Sequence, residues 1–240
     1  MKHIFLGLVL LSGGAAAKPT IPEPPKGCAD EILLKGYCKG FKAPIFKGPI
    51  NITFYISLNK AEYPSKDDAL DRFLDFVSWP SYAENSEMGV MRYQKSSEMD
   101  PIFPNEEPTI HRHYANYEIK SSVVGWQQVR TMMHYQTIDE AYPGALSTTE
   151  YWAQLEGEQD VPEGEERLEG AVGIKEQHGS IHQLDCSSHL LCDDDQHLIV
   201  YTMTVVPEID ILPSVAGQAI QDAIESTVIG MYFPQDGDVL

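Results

Sequence analysis

The stretch Ile211 to Phe233 constrains this chain more than any other. Its residues Leu212, Val215, Ala216, Ala219, Ile220, Ala223, Ile224, Thr227, Val228 and Met231 recur three and four apart, while Gln218, Gln221, Asp222, Glu225 and Ser226 take the other side. That spacing predicts one amphipathic helix of about twenty residues, with Pro213 in the first turn, where a missing N–H costs nothing, and Pro234 ending it. A helix of this kind is not stable alone in water and needs a broad apolar surface to cover. Ala216, Gly217, Ala219 and Ala223 are small for a core-facing stripe. A helix-interior glycine costs up to about 1 kcal/mol relative to alanine, which suggests a need for space beneath it.

The remainder of the chain reads as strands that could supply that surface. Ile50 to Leu58 is rich in Ile, Thr, Phe and Tyr. A helical segment follows, with Ser65 as N-cap, Asp67 and Asp68 in the first turn, and Ala69, Leu70, Phe73, Leu74 and Val77 as its apolar face. It stops at Trp79-Pro80, and Trp79 to Tyr82 reads as an aromatic turn leading to a second short helix or directly to a strand. Further strands are expected at 90–95, 110–120, 126–138, 147–155, 168–177, 180–190 and 198–206, with hairpin turns at 121–125 and at His178-Gly179. Val129, Thr131, Met133 and Tyr135 share a dry face, with Gln128, Arg130, His134 and Gln136 on a wet one. The acidic stretch 156–167 reads as a surface loop.

Residues 1–17, with Lys2 and His3 before the apolar run Ile4 to Leu11 and Gly13 to Ala17 after it, match a secretory signal cleaved before Lys18. The run is too short to span a bilayer, and no other segment is long and apolar enough. The expected location is therefore periplasmic or extracellular. Residues 18–48 carry four prolines at their start and read as an extended lead-in; 49–233 form one domain and 234–240 a tail. Four cysteines suit an oxidising compartment, and of three possible pairings sequence proximity favours Cys28 with Cys38 and Cys186 with Cys192. Neither spacing is typical of zinc. Net charge is -19, which repels phosphate backbones and anionic membranes and argues against a nucleic-acid partner. Asp193 to Asp195 read as a solvated loop tip.

The order of strand, helix ending at Trp-Pro, run of antiparallel strands and one long C-terminal helix resembles the START-like (SRPBCC, polyketide cyclase-like) superfamily. Asp75-Phe-Val-Ser-Trp-Pro80 and Val205 to Phe233 carry the resemblance, which covers about 49–233. It implies an α+β helix-grip fold, in which a curved antiparallel sheet wraps the C-terminal helix around an apolar cavity. Strand parity then puts Ala115, Tyr117, Ile119, Val129, Thr131, Met133, Tyr135, Tyr151, Ala153, Tyr201 and Met203 on the cavity side, facing Ala216, Ile220 and Ile224. Trp79 and Tyr82 are expected at the mouth. A lipocalin-type barrel is the alternative architecture.

No nucleophile with its base, no Gly-x-Ser-x-Gly and no phosphate loop is present, so neither a catalytic residue nor a cofactor is assigned. His111 and His113 share a strand face and form a usable metal-ligand pair, needing a third donor such as His182 or Asp185, but no metal site is assigned. His134 reads as a solvated strand residue. The expected function is binding of a lipid or other hydrophobic small molecule. A cyclase or hydratase on the same scaffold would require a His, Asp or Glu in the cavity; an envelope interaction protein would have the cavity filled by its own side chains.

Overall fold

The computed structural model describes residues 20–44, 48–75, 78–84, 89–102, 109–121, 125–139, 142, 144–154, 174–207 and 213–233. The expected signal segment, the acidic loop and the tail lie outside these residues. In chain order the elements are α1 (Cys28–Lys35), β1 (Tyr37–Lys42), β2 (Ile50–Asn59), α2 (Lys66–Leu74), α3 (Trp79–Glu84), β3 (Met91–Ile102), β4 (Ile110–Ser121), β5 (Gly125–Asp139), β6 (Ala145–Gln154), β7 (Ile174–Leu184), β8 (Gln196–Pro207) and α4 (Pro213–Tyr232). All strands pair antiparallel in one curled sheet of order β1-β2-β8-β7-β6-β5-β4-β3.

Local chemistry accounts for several boundaries. At the start of α2 the Ser65 hydroxyl accepts from the Asp67 N–H at 3.1 Å, and the Asp68 carboxylate accepts from the Ser65 N–H at 3.1 Å, a reciprocal cap. α4 begins at Pro213, as its missing N–H favours. Trp79 opens α3 and donates its indole N–H to the Phe73 carbonyl at 2.9 Å, closing the break between α2 and α3.

The core lies on the inner face of the sheet, under α2, α3 and α4. Ile50, Ile52, Phe54 and Ile56 of β2 are all buried there, with Tyr201 and Met203 of β8, Phe73 of α2 and Val228 and Met231 of α4. A second cluster forms on the outer face around Cys28, Ile32, Cys38, Tyr55, Leu198 and Val200. Cys28–Cys38 and Cys186–Cys192 are both disulfides, each with Cα atoms 5.4 Å apart.

Three expectations are corrected. Residues 18–48 are not merely an extended lead-in, because 28–35 form a helix and 37–42 an edge strand. His178-Gly179 is no hairpin: both residues lie within the continuous strand β7. A side chain at Gly179 would collide with the Thr202 carbonyl oxygen and the Tyr151 ring, so this glycine permits close packing and does not turn the chain. The supposed wet side of α4 is largely dry, with Gln221, Glu225 and Ser226 all buried. Ser226 lies against α3, its hydroxyl donating to the Ala83 carbonyl at 3.4 Å, and Glu225 is held by β1.

Candidate functional site

The register builds the inner face in rows that cross the sheet. One row runs Phe41, Ile52, Met203, Gly179, Tyr151, Tyr135, His111, from β1 to β4. The next runs Lys39, Phe54, Tyr201, Ile181, Thr149, Thr137. Tyr151 lies across its bare partner Gly179 and donates to the Thr202 carbonyl on β8 at 2.6 Å. Its ring stacks on Tyr201, with centroids 5.7 Å apart and planes within 6°. Burial pushes both phenols well above their ordinary range, so they remain neutral hydroxyls at any physiological pH.

α4 crosses this surface. Its broadest contacts with the sheet fall on β4 and β2, and in sheet order β8, β7, β6 and β5 lie between those two supports. The C-terminal half of the helix is buried nearly all round, whereas Val215, Ala219 and Ile220 in the N-terminal half stay partly exposed. A clasp secures the β1 side. Glu225 accepts from the Lys39 ammonium at 2.6 Å and from the Tyr37 hydroxyl at 2.9 Å, with Lys39 about a third exposed and Glu225 nearly enclosed.

The structure gathers the residues expected to line a cavity. Trp79, Met133, Tyr151, Tyr201, Met203, Ala216 and Ile224 belong to one buried cluster, with Tyr82, Tyr135 and Ile220 packed against it. Tyr117 belongs to an adjoining cluster with Ala115, Ile119 and Ala223, and Ile220 packs against that one too. Trp79 sits in the core with its ring edge on Phe73, while Tyr82 is half-buried and lies under the Arg72 guanidinium. The side chains of Val129, Thr131 and Ala153 lie outside the described residues.

Gly217 does not serve the purpose expected of it. A Cβ on Gly217 would come within 2.8 Å of the Phe41 ring and 2.9 Å of Ile50, and one on Gly230 would strike the Tyr82 carbonyl oxygen. Both glycines bring the helix down onto its supports, β1–β2 and α3, and neither opens space.

Sequence reasoning did not foresee the burial of three polar groups. His113 on the inner face of β4 is buried, and burial pushes its pKa down to about 4, against a smaller opposing pull from Asp75. Gln177 is buried on β7 beside Val205, and its Oε1 has no hydrogen-bond partner among the described residues. Glu225 is the third. For His113 strand parity was the available signal, since it shares its face with Ala115; for Gln177 the turn expected at His178-Gly179 broke the parity that ties it to Ile181 in the continuous strand β7. His134 is buried against Trp152 on the outer face, centroids 5.7 Å apart, and is not solvated; burial lowers its pKa. His182 also lies on the outer face, opposite to His111 and His113, so it cannot complete a metal site with them. No group of three metal-ligating side chains occurs among the described residues, nor does any helix there have the length and apolarity to cross a membrane.

No protein-family model matches the sequence, and no curated protein matches it either. Solved structures do match in shape. A fragment of the STAR-related lipid transfer protein from Xanthomonas axonopodis superposes with a TM-score of 0.54 at 14% identity, covering 82% of this chain and 92% of that one. Human STARD10 gives a TM-score of 0.46 at 6% identity over 89% of this chain and 83% of that one. Zhui aromatase/cyclase from a Streptomyces species gives 0.41 at 8% identity over 76% and 88%.

Proposed function

From the START-like fold of this chain we propose that it is an exported protein that binds a lipid or other hydrophobic small molecule between the inner face of the sheet and α4. The observation that carries this reading is the helix resting on β2 and β4 while spanning the apolar rows of the four strands between them. A solved structure of the same shape, named a STAR-related lipid transfer protein, supports it. Binding draws on removal of apolar surface from water, about 25 cal/mol per Å². Orientation falls to the few polar groups on that face: the Gln177 acceptor, without a partner among the described residues, suits a ligand hydroxyl or amide N–H, and a buried polar group left unpaired is costly. Ligand enters past Ile220, Ala219, Tyr135 and His111, the partly exposed residues of this region. The pattern of residues 1–17 and the two disulfides support export.

His113 gives a second reading some weight. A buried neutral imidazole on the ligand face could serve as the base of a cyclase or hydratase.

The test is mass spectrometry of an organic extract of the purified protein, joined to thermal melts over fatty acids, phospholipids and sterols. A bound apolar molecule and a rise of several degrees for one lipid class are expected, lost in Ile220→Trp. No extracted molecule and no shift across the panel would overturn the proposal. Loss of a turnover in His113→Asn, with binding retained, would favour the enzyme.

A further inference from the structure

A separate cavity of about 830 Å³ lies on the outer face of the same sheet. The segment Thr20–Pro25 and β1 wall one side, and Tyr142 with β6 the other. Tyr55 ties that segment down by donating to the Pro22 carbonyl at 2.7 Å.

Its floor is a ladder of hydroxyls. Asn51 and Thr53 of β2 face Thr204 and Thr202 of β8, and Thr202 faces Ser180 of β7. Hydrogen bonds join most of these groups into two separate sets. Thr204 donates to Asn51 Oδ1 at 2.9 Å; Thr202 and Ser180 share a hydrogen bond of 2.8 Å; Ser180 meets His182 Nε2 at 2.7 Å; and His182 Nδ1 meets the Thr148 hydroxyl at 3.0 Å. Burial pushes the pKa of His182 down to about 4, which leaves the ladder uncharged at neutral pH. A hydroxyl offers one donor and two acceptor positions, so a bonded ladder still has acceptors to present.

The walls differ from the floor. Trp152 is half-buried and braced by its stack on His134. Tyr142 is half-buried, with its hydroxyl donating to Glu150 at 3.0 Å and its ring 4.7 Å from His182. The charged groups lining the cavity include Glu23 and Glu150 but a single lysine, Lys42.

This chemistry excludes several ligand classes. An acyl chain would strip water from the hydroxyls without replacing their bonds. A phosphate or carboxylate would meet two carboxylates against one ammonium, on a chain of net charge -19. A ligand that is uncharged, dense in hydroxyls and faced with C–H groups fits both the floor and the aromatic walls. We propose that this outer groove binds a neutral carbohydrate, its rings lying against Trp152 and Tyr142 and its hydroxyls exchanging hydrogen bonds with Asn51, Thr53, Thr202 and Glu150. Its polar floor and aromatic walls stand on the face opposite α4, and Phe41, Ile52, Tyr151, Gly179 and Met203 of the first inner row border it from the other side of the sheet.

Protein made in a host that attaches no N-linked glycans, so that Asn51 of Asn51-Ile-Thr53 is bare, is titrated with maltohexaose, cellohexaose and chitohexaose by calorimetry. Saturable binding of at least one is expected. Trp152→Ala should weaken it about tenfold or more. Thr53→Val, a β-branched isostere at a partly exposed strand position, should weaken it about threefold to tenfold without disturbing the sheet. Neither variant should alter binding of a fluorescent fatty acid, so the lipid and carbohydrate readings fail separately. No saturation by any of the three sugars up to about 10 mM, or binding unchanged in both folded variants, would overturn the proposal.

Discussion

Thr53 and Phe54 are neighbours in β2, yet they belong to different environments. Phe54 is fully buried on the inner face with Tyr201 across from it, while Thr53 stands on the outer face beside Thr202. Across β2, β8 and β7 the same division sets Ile52, Phe54, Met203, Tyr201 and Ile181 against Asn51, Thr53, Thr204, Thr202 and Ser180. The inner face is covered by helices and the outer face by a disulfide-tied N-terminal segment at one end and by the groove beside it. Alternation along a strand decides which residues share a face, but what covers each face is decided by distant parts of the chain.

The largest effects should separate the faces most clearly. Phe54→Ala is expected to lose about 3–5 kcal/mol in urea unfolding, and Thr53→Ala to stay within about 0.5 kcal/mol of the parent. Equal losses would break the distinction. Replacing Cys28 and Cys38 by serine should cost about 2–3 kcal/mol, since the bridge closes a short loop; equal stability of the reduced and oxidised protein would show the outer cluster holding unaided. Gly179→Ala should cost about 1–3 kcal/mol, because its Cβ meets a backbone carbonyl of the neighbouring strand. Gly217→Ala should cost less than Gly179→Ala, because its Cβ meets only side-chain atoms, of Phe41 and Ile50, and no backbone.

pH probes the two faces through one buried histidine on each. Burial depresses the folded pKa of His113 and His182 from 6.5 to about 4, so the unfolded chain takes up protons first as pH falls. Their contribution is full above pH 6.5, declines between 6.5 and about 4, and is then level. Each should add a slope of about 1.4 kcal/mol per pH unit in that window. His113→Asn and His182→Asn should each remove about half of the combined slope in denaturation series. A slope removed wholly by one variant would show that only one face encloses its histidine.

Local signals were legible in the sequence. Ser65 with Asp68, Pro213 before an amphipathic run, and alternation through Met133 and Tyr135 were read from a few neighbouring residues, and the structure has a cap, a helix and a strand there. Readings that depended on distant partners failed. β1 alternates Tyr37, Lys39, Phe41, and the lysine hides the pattern because its partner Glu225 is 186 positions away. Gly179 looked like a turn because the Tyr151 ring that needs its bareness comes from another strand. The polar side of α4 looked solvated because nothing local announces α3 at Ser226 or Lys39 at Glu225. The hydroxyl ladder was invisible for the same reason, since Thr53, Thr202 and Ser180 adjoin only through pairing.

The pairing of β2 with β8 sets a timetable for the chain's own synthesis. Ile50 waits for Val205 and Asn59 for Gln196. At about 5–20 residues per second, β8 emerges roughly 7–30 s after β2. Through that interval the nascent sheet has an open seam, bordered by Ile50, Ile52, Phe54 and Ile56, at the position where strangers with a free strand edge can pair. A holding factor that shields the newborn chain, or passage across a membrane before folding begins, would remove that hazard; slowing translation after β2 should raise the aggregated fraction.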